Sequence, residues 1–124
     1  MRKLVWVLLL AGCGGGLERV SFVTDFLSYA PGGRVMLSLG NVSATDVKVN
    51  LCLARLVDEQ GASVGVTKVE SCDSLEGEVI PPGEQRSVRK TMPASVSGKL
   101  RYEATIVLPN GRGETVLSPV FTVQ

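Results

Sequence analysis

The chain has 124 residues, is 44% hydrophobic and carries a formal net charge of +1. That is the length of one domain, with enough apolar content to build a core. There is no histidine, which excludes Ser-His-Asp and Cys-His catalysis and removes the commonest zinc and copper ligand. The balanced charge, with no run of five like charges, argues against a dedicated nucleic-acid binder. The 3 cysteines are an odd number, so one thiol needs a separate use.

The N-terminus reads as an address. Met1-Arg2-Lys3 is a positive segment, Leu4 to Leu10 is an apolar run, and Ala11-Gly12 are small residues before Cys13. The run is far shorter than the roughly 20 residues that span a bilayer. Leu10-Ala11-Gly12-Cys13 resembles the lipobox of bacterial lipoproteins. A thiol accepts a diacylglyceryl group as a thioether, and small residues before it let the extended chain enter a signal-peptidase cleft. The resemblance implies cleavage before Cys13, which then becomes the first residue and carries three acyl chains. One chain holds a membrane only marginally, whereas two or more hold it stably. Lipoprotein families of Gram-negative bacteria use Asp after the cysteine for inner-membrane retention; Gly14 here implies the periplasmic leaflet of the outer membrane.

Loss of residues 1–12 removes Arg2 and Lys3 and turns the net charge from +1 to −1. Gly14-Gly15-Gly16 follows as a flexible tether. From Cys13 to Arg19 the chain reaches roughly 20 Å at full extension, so the folded part, 19–124, would sit close to the membrane.

From Arg19 onward the apolar period is two. Val35, Leu37 and Leu39 alternate with polar or flexible residues. So do Val47, Val49, Leu51 and Leu53, then Leu100, Tyr102, Ala104, Ile106 and Leu108, and finally Phe121 and Val123. Such patterns suit strands with one face buried. Pro31-Gly32-Gly33, Asp58-Glu59-Gln60-Gly61, Pro81-Pro82-Gly83 and Pro109-Asn110-Gly111 separate them as turns. Strands are expected at about 19–28, 34–41, 46–57, 63–70, 85–92, 99–108 and 113–123, with no amphipathic helix. The predicted fold is all-β: a seven-stranded antiparallel immunoglobulin-like sandwich, with a closed barrel as the alternative.

The order of Pro-Gly, apolar strand, Asn41 with Ser43, long strand, Ile80-Pro81-Pro82-Gly83-Glu84, and then Gly98 before an alternating strand resembles bacterial immunoglobulin-like modules. It is similar to the cell-adhesion-related domains of bacteria and to the intracellular proteinase-inhibitor family. Those families often place Tyr two residues after the glycine; here Leu100 stands there and Tyr102 comes two later.

With Cys13 lipidated, Cys52 and Cys72 remain as a pair in an exported, oxidising compartment, which reads as a disulfide. Alternation puts Cys52 on the face opposite Val49, Leu51 and Leu53, so the bridge is expected near the outer face of a sheet. The charges are segregated: residues 58–84 carry a net −6 and residues 86–112 a net +5. Cross-strand pairing on solvated faces explains this at about 0.2–1 kcal/mol per pair. A protein-binding surface with Arg86, Arg89 and Arg101 as contacts is the sharper reading.

The sequence indicates no metal, no cofactor, no catalytic residue and no nucleic-acid partner. It reads as a non-catalytic lipoprotein, held to a membrane through Cys13 and acting as a binding or structural accessory for an envelope protein. A proteinase-inhibitor-like domain is the alternative, presenting Asp58–Ser63 or Pro109–Glu114 to a protease. A small Ser/Lys enzyme is a third.

Overall fold

A computed structural model describes residues 19–65, 68–69 and 77–124. Cys13 and Cys72 lie outside the described residues. The described chain forms β1 (Val20–Thr24), β2 (Ser28–Tyr29), β3 (Arg34–Asn41), β4 (Val47–Val49), β5 (Arg55–Asp58), β6 (Lys68–Val69), β7 (Glu78–Ile80), β8 (Gln85–Thr91), β9 (Gly98–Val107), β10 (Gly113–Leu117) and β11 (Phe121–Val123). One sheet has the order β1-β3-β8-β6. The other has the order β2-β11-β9-β4-β7, with β10 and β5 also paired to β9. The two sheets face each other as an all-β, immunoglobulin-like sandwich.

Alternation builds the core. Val35, Leu37 and Leu39 of β3 are fully buried, and Leu100, Tyr102, Ala104 and Ile106 of β9 face them. Phe121 joins the two aromatic positions. Its ring lies 5.9 Å from Tyr102 in a stacked contact and 5.3 Å from Tyr29 edge-on. Each such pair contributes about 0.5–1.5 kcal/mol beyond its buried area.

The expected turns form. Gly32, Gly61, Gly83 and Gly111 all have positive φ, which L-residues with a Cβ rarely adopt. In the turn after β9, Gly111 N–H donates to Leu108 O and Leu108 N–H to Arg112 O.

Three of the expected strands are broken, each for a local reason. The strand expected at 19–28 leaves the first sheet after Thr24 and joins the second, where β2 pairs parallel with β11. The buried Tyr29 holds this switch: its hydroxyl accepts from Phe26 N–H and donates to Asp25 Oδ1. The strand expected at 113–123 breaks at Ser118-Pro119, where proline supplies no N–H to the ladder. The strand expected at 46–57 is interrupted by a 3-10 turn at Leu51–Leu53. Asn50 caps that turn, its side chain accepting from Cys52 N–H at 3.0 Å. The turn overturns the expected facing. Leu51 is buried but Leu53 is 65% exposed, because three residues per turn replace strict alternation. Cys52 therefore sits in a half-buried turn between β4 and β5, not on the outer face of a continuous strand.

Candidate functional site

The three arginines expected to form one contact surface are separated by the fold. Arg86 and Arg89 lie on β8, and Arg101 lies on β9 in the opposite sheet. Arg86 pairs in register with the buried Leu39 and Arg89 with Met36, so their side chains leave opposite faces of β8. Arg86 is engaged within the chain: Nε donates to Glu78 Oε2 at 2.5 Å and Nη1 to Glu84 Oε1 at 3.3 Å. The bond to Glu78 raises its pKa further. Arg55 pairs with Glu103 across β5 and β9, and Arg112 and Arg19 both reach Glu114. Of these pairs, those of Arg86 with Glu78 and Glu84 join the acidic segment 58–84 to the basic segment 86–112.

The turns considered for protease contact are tight. Asp58 Oδ1 accepts from Gln60 N–H at 2.9 Å and from Ala62 N–H at 3.0 Å. Asn110 Oδ1 accepts from Arg112 N–H at 2.9 Å. Each backbone folds onto itself rather than extending as a protease-bound loop requires.

Lys90 is a feature the sequence did not mark. It lies on the inner face of β8, opposite Val35, with 1% exposure. Its Nζ donates to Cys52 O at 3.1 Å and Ala54 O at 3.0 Å, so it ties the 3-10 turn to the first sheet. Burial pushes its ammonium down to about 8. Both bonds go to backbone carbonyls. In β8 neither Arg86-Val88-Lys90 nor Ser87-Arg89-Thr91 is an apolar set, so alternation could not say which face turns inward.

The second unmarked feature is a cleft of about 560 Å³ between β1 and β10, the edge strands of opposite sheets. Val20, Phe22, Ile106 and Val116 line it with apolar surface. An ion pair between Arg19 and Glu114, 3.3 Å apart, crosses one end. Arg101 borders the other end, where β10 gives way at Ser118-Pro119. Its Nε is buried and makes no hydrogen bond among the described residues. A buried, unpaired guanidinium N–H is costly, so a group that accepts from it is favoured at this position. Composition gave no signal for this cleft, because it depends on which strands end up at the edges.

Among the described residues no group of three or more His, Cys, Asp and Glu side chains is placed to hold a metal ion. No helix among them is long and apolar enough to cross a membrane. Cys52 is disulfide-bonded; its expected partner Cys72 is outside the described residues.

The sequence matches no protein-family model and no curated protein. Solved structures do resemble it. A structure of the Salmonella enterica SafA pilin in complex with the SafB chaperone matches at 11% identity and a TM-score of 0.59, over 87% of this chain and 55% of that one. The native conformation of Escherichia coli alpha-2-macroglobulin matches at 18% identity and a TM-score of 0.53, over 87% of this chain and 7% of that one. The secreted serine protease VesC of Vibrio cholerae matches at 14% identity and a TM-score of 0.52, over 84% of this chain and 23% of that one. The chain therefore spans about half or less of the length of these proteins. At such identities the likeness is one of fold, and the fold it supports is an immunoglobulin-like β-sandwich.

Proposed function

We propose that this chain is a bacterial lipoprotein, anchored through acylated Cys13, whose sandwich serves as a non-catalytic binding or structural module of the cell envelope. The observation that carries the reading is the position of Leu10-Ala11-Gly12-Cys13 and its glycine tether directly before the first strand at Val20. Arg19 stands six positions after Cys13, a reach of roughly 20 Å. Gly14 after the cysteine favours the outer membrane of a Gram-negative host. Cys52 is assigned Cys72 as its disulfide partner, in keeping with an oxidising compartment.

An anchor at Cys13 would set the orientation of the sandwich. Arg19 enters beside Val42, whose N–H donates to Arg19 O. The Pro81–Glu84 and Pro109–Arg112 turns share that end with it. The ten residues of β9 extend about 30 Å from there, and the C-terminal Gln124 bonds Tyr29 O towards the opposite end. In the anchored protein the Arg19 end faces the membrane. Phe26 and Leu27, 64% and 65% exposed, lie well away from it.

In-cell cross-linking of the full chain, followed by purification from solubilised membranes, tests the module reading. One stoichiometric envelope protein is expected. Recovery of the chain alone at every cross-linker length would overturn it.

A further inference from the structure

We infer that the β1–β10 cleft binds an extended segment of a partner protein, which adds as a strand to β10 and sets a carboxylate against Arg101. The inference rests on the binding-module reading and goes beyond it by naming the site and the chemistry of its occupant.

The hydrogen-bond phase of the two strands leaves both edges open. Val42 N–H donates to Arg19 O and Asp25 N–H to Met36 O. In an antiparallel ladder this phase points alternate residues at the partner strand. Val20, Phe22 and Thr24 therefore turn their N–H and C=O groups away from β3. On β10, Leu108 N–H donates to Arg112 O and Ser118 N–H to Tyr102 O. Gly113, Thr115 and Leu117 accordingly turn their backbone groups away from β9. Neither strand has a second neighbour among the described residues.

Natural sheets protect such edges with charge, proline or a bulge. The outward-turned residues of β10 are Gly113, Thr115 and Leu117, all exposed and none charged. An added strand would satisfy them, and its alternate side chains would enter the cleft over Val20, Phe22 and Val116. These surfaces call for apolar residues at every second position. The charged groups of the cleft then specify the rest. Glu114 is occupied by Arg19 and Arg112. Arg101 has no ion pair among the described residues, and its buried Nε lacks an acceptor. A carboxylate on the segment supplies one. The volume of about 560 Å³ falls within the range of formed ligand sites, roughly 300–1,000 Å³.

The test uses the full chain in lipid nanodiscs and a phage-displayed library of random decapeptides. The expected peptides alternate apolar residues and carry Asp or Glu. Binding of the best synthetic peptide should weaken at least tenfold in Thr115→Pro, which removes an outward N–H and spares the bonds to β9. Arg101→Gln, and exchange of the peptide's acid for its amide, should each weaken it at least tenfold. Peptide binding should also slow hydrogen exchange at Gly113, Thr115 and Leu117 in the unmutated chain, a readout independent of whether either variant folds. No peptide above background, or no protection of those amides, overturns the proposal. So does a dimer that Thr115→Pro converts to monomer, which would assign the edge to a second copy. A cross-linked envelope partner that still binds Thr115→Pro and Arg101→Gln would leave the module reading standing and remove only the cleft.

Discussion

Lys90 shows how one buried charge couples parts of the fold that are distant in sequence. It spans from β8 to the turn at Leu51–Leu53 through the carbonyls of Cys52 and Ala54. In the unfolded chain its ammonium titrates near 10.5; in the fold, near 8. Between those values the unfolded chain holds more protons, so stability rises as pH increases through the window. Below about pH 8 both states are charged and the burial cost is carried in full. The urea midpoint should therefore rise between pH 8 and pH 10, and Lys90→Met should lose that rise relative to wild type. An identical pH slope in both proteins would contradict the assignment. Tyr29 is the opposite case: burial first, then its bond to Asp25, pushes its phenol up to about 12.

Asn41 is the other polar residue on which the fold depends. It is 1% exposed. Its Nδ2 donates to Thr45 O and Ile80 O, and its Oδ1 accepts from Ser43 N–H and Oγ–H. The Asn41-Val42-Ser43 element of the sequence is thus a structural clasp between the loop after β3 and the end of β7. Asn41→Ala leaves the Ile80 carbonyl buried without that donor. It should cost about 2–4 kcal/mol in urea unfolding, from roughly 1–3 kcal/mol per orphaned group.

At the scale of elements, turns were legible in the sequence and breaks in strands were not. Pro31-Gly32 and Asn110-Gly111 declare themselves because positive φ needs particular residues. The alternation in β3 and β9 is legible because one set of positions is uniformly apolar. The break between β1 and β2 has no comparable signal. It arises because a long strand changes sheets, and the clasp that fixes it, Tyr29 on Asp25, is made of residues with many other uses. β7 went unread because Glu78-Val79-Ile80 is too short to show a period.

The half-buried turn at Leu51–Leu53 also locates the disulfide energetically. A bridge from Cys52 to Cys72 closes a loop of about 20 residues, which the chain-entropy estimate values at about 3 kcal/mol. Reduction, or Cys72→Ser, should lower the unfolding free energy by about that amount. An unchanged urea midpoint on reduction would remove the assignment.

For the whole molecule, the sandwich was legible from spacing alone, while its open seam was not. Strand pairing decides which strands become edges, and pairing is a long-range property that no local pattern in β1 or β10 encodes. The same holds for the arginines. Arg86, Arg89 and Arg101 cluster in sequence, yet the fold gives Arg86 to Glu78 and Glu84, sends Arg89 to another face and leaves Arg101 beside the cleft. The anchor is proposed from the sequence alone, because its expected chemistry lies in four consecutive residues, Leu10-Ala11-Gly12-Cys13.

Mass spectrometry of the N-terminus of the chain isolated from its own membranes tests the anchor most directly. The expected N-terminal peptide begins at Cys13 and carries a diacylglyceryl thioether with an acylated amine. A peptide beginning elsewhere, or an unmodified Cys13, would contradict the membrane attachment on which the proposed function stands.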